Sequence, residues 1–102
     1  MAVFMGVDTV VRHKDGRPLG DSVQIIERLT GVFPGVTFVQ NPDNGMWSGS
    51  FEQDGLAISF YFDGSSVPVP YVAICMYGRI DKLGTYINRL GDWKIVPPYP
   101  YQ

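Results

Sequence analysis

Catalysis near neutral pH asks first for a histidine, a cysteine or convergent carboxylates. This chain offers one histidine, His13, one cysteine, Cys75, and ten acidic residues. His13 opens the run His13-Lys14-Asp15-Gly16-Arg17-Pro18, which is charged and turn-rich, so the residue reads as a solvated side chain of an exposed loop. No local motif joins His13 to Cys75 as a thiolate pair, and Cys75 reads as a small hydrophobe within a strand. Its solitude excludes an internal disulfide and a cysteine-cluster zinc site within one chain. The carboxylates fall in turns. Asp43 and Asp63 should lie near one end of the same sheet, but two ligands do not make a metal site. Gly6 and Gly16 lack the spacing of a phosphate-binding or dinucleotide fingerprint. The expectation is a chain without catalytic residues, metal or cofactor.

Something has to position these groups, and the organising stretch is Phe38 to Tyr77, which reads as an antiparallel meander. Asn44-Gly45 and Asp54-Gly55 are dipeptides that accept the positive φ angles of a type I′ hairpin turn. An Asp54-Gly55 loop places Gln53 opposite Leu56, and stepping outward pairs Phe51 with Ile58, Gly49 with Phe60 and Trp47 with Phe62. All the large apolar residues then share one face. The other face pairs Glu52 with Ala57, Ser50 with Ser59, Ser48 with Tyr61 and Met46 with Asp63. A one-residue slip would expose Trp47, Phe51, Phe60 and Phe62 at roughly 1.5–3 kcal/mol each, so the register is strongly specified. Gly49 opposite Phe60 suits either a ring that needs room or a bulge. Pro42 has no ladder donor, so the first connection should exceed two residues.

Before the meander, Ala2 to Arg12 reads as a strand with apolar residues on both sides, hence interior to the sheet. Asp21 is an N-cap with Gln24 in the capping-box position, and Ile25, Ile26, Leu29, Val32 and Phe33 form the apolar stripe of a helix that Gly31 and Phe33-Pro34-Gly35 should end. Val36 to Gln40 is the next strand. After Phe62, the prolines of the 63–70 segment suit a loop, and Tyr71 to Tyr77 is a strand with Val72, Ile74 and Met76 on one side. A second helix is expected over about Ile80 to Leu90, with Ile80, Leu83, Ile87 and Leu90 inward, Gly91 as its stop and Gly84 kept for close packing on the sheet. Trp93 to Val96 adds a short strand.

The expected fold class is therefore α+β: a two-layer sandwich of order β-α-β-β-β-β-α-β, with a mainly antiparallel sheet of five to six strands and both helices on one face. The domain spans residues 1–96. The tail Pro97-Pro98-Tyr99-Pro100-Tyr101-Gln102 favours polyproline geometry and contains a weak PxxP spacing. The far side of the sheet should be open, carrying Ser48, Ser50, Ser59, Tyr61, Tyr71 and Tyr77.

Composition bounds the function classes. Hydrophobic residues make up 45% and charged residues 18%, an ordinary globular balance that argues against disorder. The amino-terminal segment has no basic region, meets Asp8 early and is too short for a membrane span, so a cytoplasmic protein is expected. The net charge is −2 and the pI about 5.1, which disfavours nucleic acid. Between Leu29 and Gly78 there is no Lys or Arg, only Asp43, Glu52, Asp54 and Asp63. An aromatic sheet face could stack bases, but the glycine-aromatic signature of such sheets is missing and the local charge repels phosphate.

What remains is recognition by surface. One reading is a small non-enzymatic protein-binding module, in its sharpest form an immunity or inhibitor protein that occludes a basic partner, with Tyr61, Tyr71 and Tyr77 as anchors and Glu52, Asp54 and Asp63 as an acidic rim. Homodimerisation through the same face is its rival. The alternative is a small enzyme or ligand-binding protein with a pocket between helix and sheet, and His13, Asp8 or Arg79 at its mouth.

Overall fold

A computed structural model describes residues 7–65 and 67–96. Its elements are β1 (Val7–His13), α1 (Ser22–Val32), β2 (Thr37–Gln40), β3 (Met46–Gln53), β4 (Leu56–Asp63), β5 (Val72–Gly78), a 3₁₀ turn (Ile80–Leu83), α2 (Gly84–Ile87) and β6 (Trp93–Val96). This is the expected α+β order. The six strands form one sheet in the order β2-β3-β4-β5-β1-β6, with every neighbouring pair antiparallel. The 97–102 tail, with its PxxP spacing, and residues 2–6 of the expected first strand lie outside the described residues.

The β3–β4 hairpin has the register that its turn dictates: Gln53 opposes Leu56, Phe51 opposes Ile58, and Trp47 opposes Phe62. Asp54 and Gly55 have φ of +56° and +84°, the paired positive values of a type I′ turn. Phe51, Leu56, Ile58, Phe60 and Phe62 are buried on the same side as Val72, Ile74 and Met76 of β5 and Val11 of β1. Ile25, Leu29 and Val32 of α1 and Ile80, Leu83, Tyr86 and Leu90 join that one core cluster. Both helical segments thus cover a single face, as amphipathic elements must.

The start of α1 is fixed reciprocally. The Asp21 carboxylate accepts the Gln24 N–H at 2.9 Å, and the Asp21 N–H donates to Gln24 Oε1 at 2.9 Å, which satisfies two donors at once. Arg28 ties the helix to the final turn: its Nη1 donates to the Leu90 carbonyl and to Asp92 Oδ1, both at 2.8 Å, and its guanidinium lies 4.6 Å from the centre of the buried Trp93 ring.

The connection before β3 exceeds two residues, as Pro42 requires: residues 41–45 form a loop in which only Gly45 has positive φ, +75°, and Asn41 closes it with bonds to Met46 and Gly45. Three expectations are corrected. Gly49 hosts no bulge, and the ring that needs its space is Phe38, directly opposite on β2, rather than Phe60. The helix over 80–90 is instead a 3₁₀ turn followed by one α turn. Ile80 and Leu83 of the 3₁₀ turn are buried, and Tyr86 of the α turn enters the core between Phe33 and Phe51, with ring centroids 5.3 and 5.2 Å away. Gly84 packs on nothing: an added Cβ there would meet open space.

No helix among the described residues is long and apolar enough to cross a membrane.

Candidate functional site

Alternation along each strand sends half of the residues to the side that neither helix covers, and the register arranges them in rows. Thr37, Ser50, Ser59, Cys75 and Asp8 form one row. Val39, Ser48, Tyr61, Ala73, Val10 and Val96 form the next. Beyond it stand Met46 and Asp63 on the β3–β4 side, with Arg12 and Lys94 on the β1–β6 side. Tyr77 opposes Ala57. The Arg12 guanidinium lies over the Tyr71 ring, 4.9 Å from its centre, within cation–π range.

Tyr61, Tyr71 and Tyr77 are 44, 41 and 42% exposed. Their neighbours Ala57, Ala73, Ser48 and Ser59 are small, so the phenol rings rise from a low floor. Two shallow depressions, of about 340 and 370 Å³, flank Tyr61 and share Ala73. The first extends toward Tyr71 and Asp63 and the second toward Asp8, Cys75 and Val96.

The structure describes all six candidate contact residues, but they do not form one ring. Tyr61, Tyr71 and Asp63 line the same depression. Glu52 lies at the opposite end of the β3–β4 ribbon from Asp63, and Asp54 sits in the hairpin turn beyond it. Asp63 Oδ1 accepts the Ser65 N–H at 2.9 Å and its hydroxyl at 2.6 Å, which holds the carboxylate in a fixed direction.

Cys75 faces Asp8 across the strands, with Tyr77 two residues further along β5 on the same face. Burial pushes the Cys75 thiol up. Tyr77 opposes this and the Asp8 carboxylate adds to it. The Cys75 side chain, by hydrogen bonding and then by its charge, raises the Tyr77 phenol. A thiol so placed is a poor nucleophile near neutral pH.

His13 requires a further correction. It is not a solvated loop residue: it ends β1 on the helix-covered side, its side chain only 12% exposed, because Trp93 pairs with it and Asp92 closes over it. Nδ1 faces the Asp15 carboxylate and accepts the Asp15 N–H at 3.3 Å, while Nε2 stands 3.0 Å from Asp92 Oδ2. Both ring nitrogens thus face groups of this chain rather than a site open to a substrate. The Arg28 hydrogen bond holds the Asp92 carboxyl below the usual range against partial burial, with its own backbone bond and the Arg28 and His13 charges acting in the same direction.

The groups suggested for a pocket mouth are not convergent. Asp8 is on the open face, His13 is on the covered face, and Arg79 is committed to Asp81 through two bonds of 2.9 and 2.7 Å. Among the described residues, no three His, Cys, Asp or Glu side chains stand where they could hold a metal ion.

Sequence reading missed Arg12 and Lys94 as members of the tyrosine-bearing face. The alternation Asp8, Val10, Arg12 was a usable signal, but only the β5-β1-β6 adjacency brings that strand beside the tyrosines. Family models, curated proteins and solved structures yield no match to this chain.

Proposed function

We propose that this chain is a non-enzymatic protein-recognition module that docks another protein on its open sheet face. One observation carries the reading: three tyrosines, each about two-fifths exposed, surround a floor of small residues on the side without helices. Tyrosine suits such a place because it offers a large rigid apolar area and a hydroxyl at low entropy cost. Outside this face, the groups best suited to chemistry are either bonded to one another, as His13, Asp15 and Asp92 are, or committed to a local ion pair, as Arg79 is. The sharpest form of the proposal is a cytoplasmic inhibitor or immunity protein that occludes a basic enzyme or toxin, supported by the net charge of −2 and by Glu52, Asp54 and Asp63.

The test is the double substitution Tyr61→Ser and Tyr77→Ser. Both side chains are well exposed, so circular dichroism and thermal midpoint should stay close to wild type. An affinity capture run with each protein, read by mass spectrometry beside light scattering, should show a stoichiometric partner with wild type and its loss with the variant. Equal capture by both proteins would rule out the open face as the docking surface.

A further inference from the structure

Arg12 of β1 stands directly opposite Lys94 of β6 on the open face, and both residues are exposed. Like charges so placed destabilise a sheet. No carboxylate of this chain offsets them. All ten acidic residues lie among the described residues, and none forms an ion pair with Arg12 or Lys94. Asp15 and Asp92, the nearest of them in sequence, are committed to His13, Arg17 and Arg28. Building on the open-face reading above, we propose that Arg12 and Lys94 form the subsite that receives an aspartate or glutamate side chain of the docked protein.

Three observations select a single carboxylate. The first is the unbalanced pair itself: a carboxylate placed between the two cations replaces one repulsion with two attractions. The second is the stacking of Arg12, whose guanidinium lies 4.9 Å from the centre of the Tyr71 ring. That contact holds a long side chain in place before binding, so less entropy is lost when its planar fork meets a carboxylate. The third is the surroundings. Asp8 lies on the same strand and face as Arg12, four residues away, or about 13 Å, and Asp63 shares the face two strands away. A nucleic acid would have to lay phosphates past one of these carboxylates, whereas a lone acidic side chain meets neither. Next to the cation pair on the same two strands, Val10 opposes Val96, and both line the depression of about 370 Å³. An extended segment turns alternate residues to one side, so the acid should be accompanied, two positions away, by an aliphatic residue over that depression. A partner of net positive charge can still present one carboxylate here.

The probe is the synthetic peptide Ac-Val-Thr-Glu-Thr-NH2, titrated into the ¹⁵N-labelled full chain at low ionic strength. Amide shifts should saturate at Val10, Arg12, Lys94 and Val96. The same peptide with Gln in place of Glu should bind about two- to tenfold more weakly. Lys94→Gln should remove most of that preference. It should also raise the thermal midpoint of the free protein by roughly 1–5 °C, because it relieves the repulsion with Arg12; a lysine kept for stability would do the reverse. Lys82→Gln, on the 3₁₀ turn, should bind as wild type. Equal affinity for the two peptides, or a preference that survives Lys94→Gln, overturns the inference. Tighter binding of a thymidine octanucleotide at the same amides would assign the corner to a phosphate chain and overturn it too. If the peptides show no preference while the Tyr61→Ser, Tyr77→Ser pair still loses a captured partner, this inference falls and the open-face reading stands. A saturable preference for glutamate beside equal capture by both proteins would keep the carboxylate subsite and overturn the open-face reading alone.

Discussion

Gly49 and Phe38 provide the sharpest test of the packing at the sheet's β2 edge. Gly49 is buried on β3 between Phe38 on one side and Phe60 on the other. The Phe38 ring lies across it, 5.9 Å from the Phe60 centroid and 6.3 Å from that of Phe62. A Cβ at position 49 would collide with three carbons of that ring, so Gly49→Ala has to push Phe38 outward and strip its contacts with Phe60 and Phe62. Overpacking of this kind costs about 1–3 kcal/mol. Removing a glycine from a strand returns about 0.5–1 kcal/mol, which leaves a net loss centred near about 1 kcal/mol and at most about 2.5 kcal/mol. In urea unfolding the midpoint should fall with an unchanged slope, and the thermal midpoint should drop by roughly 4–8 °C per kcal/mol. Phe38→Ala is destabilising on its own, but in that background the added methyl meets no ring. Gly49→Ala should then be neutral or slightly stabilising, with a coupling energy of about 1–3 kcal/mol. Additive losses within about 0.5 kcal/mol would show that the ring does not occupy the space over Gly49, and the account of that edge would be wrong.

Gly84→Ala and Gly31→Ala should each stabilise the fold by about 0.4–1 kcal/mol, because both positions are helical and an added Cβ meets nothing; chemical denaturation of the single and double variants checks this, and a loss would refute it. Cys75 should react with iodoacetamide more slowly than a free thiol at neutral pH and accelerate only in alkaline solution, since burial first and Asp8 after it disfavour the thiolate; a neutral-pH rate equal to free cysteine would contradict the placement. Asp92 has a lowered carboxyl in the fold, so its contribution is present above the unfolded carboxylate pKa, about 3.9, and is lost as pH falls through the folded value. Wild type should therefore exceed Asp92→Asn in stability at neutral pH, with the gap closing in acid; a gap independent of pH would refute the role assigned to the Arg28 bond.

Much of the fold was legible because the decisive signals are local. Asp54-Gly55 fixes a turn, the turn fixes the β3–β4 register, and alternating large and small residues say which face is buried. Asp21 and Gln24 are likewise a three-residue signature, and the cap forms. The errors arose where two local patterns were nearly degenerate or where a distant element decided. Ile80, Leu83 and Leu90 are buried as the stripe requires, yet the segment is a 3₁₀ turn over 80–83 and a single α turn over 84–87, in which Tyr86 packs against the Phe33 and Phe51 rings. His13 sits among charged turn residues, but Asp92 and Trp93, some eighty residues later, close over it because β6 pairs with β1. The need for room at Gly49 was read correctly and its occupant was not, since the ring comes from Phe38 on β2, on the other side of β3 from Phe60.

The charge of the open face shows why an interval of sequence is a poor guide to a surface. Counting from Leu29 to Gly78 finds only acidic residues, which suggests an anionic sheet that draws in a basic partner. The strand order places β1 beside β5 and β6 beyond β1, so Arg12 and Lys94 stand on the same face as Asp63, two and three strands away from it. With strands about 4.8 Å apart, that separation is about 10–14 Å, comparable to the Debye length of about 8–10 Å at physiological salt. Beyond that distance the opposite charges look like a neutral patch, and at contact they look like a dipole. Such a surface gives little long-range steering but fixes which way round a partner sits. Adding salt should therefore slow association only modestly, whereas reversing Asp63 or Arg12 should penalise the bound state and appear mainly in the dissociation rate. A steep fall of the association rate with salt would instead mean that Glu52 and Asp54, at the far end of the β3–β4 ribbon, govern the encounter.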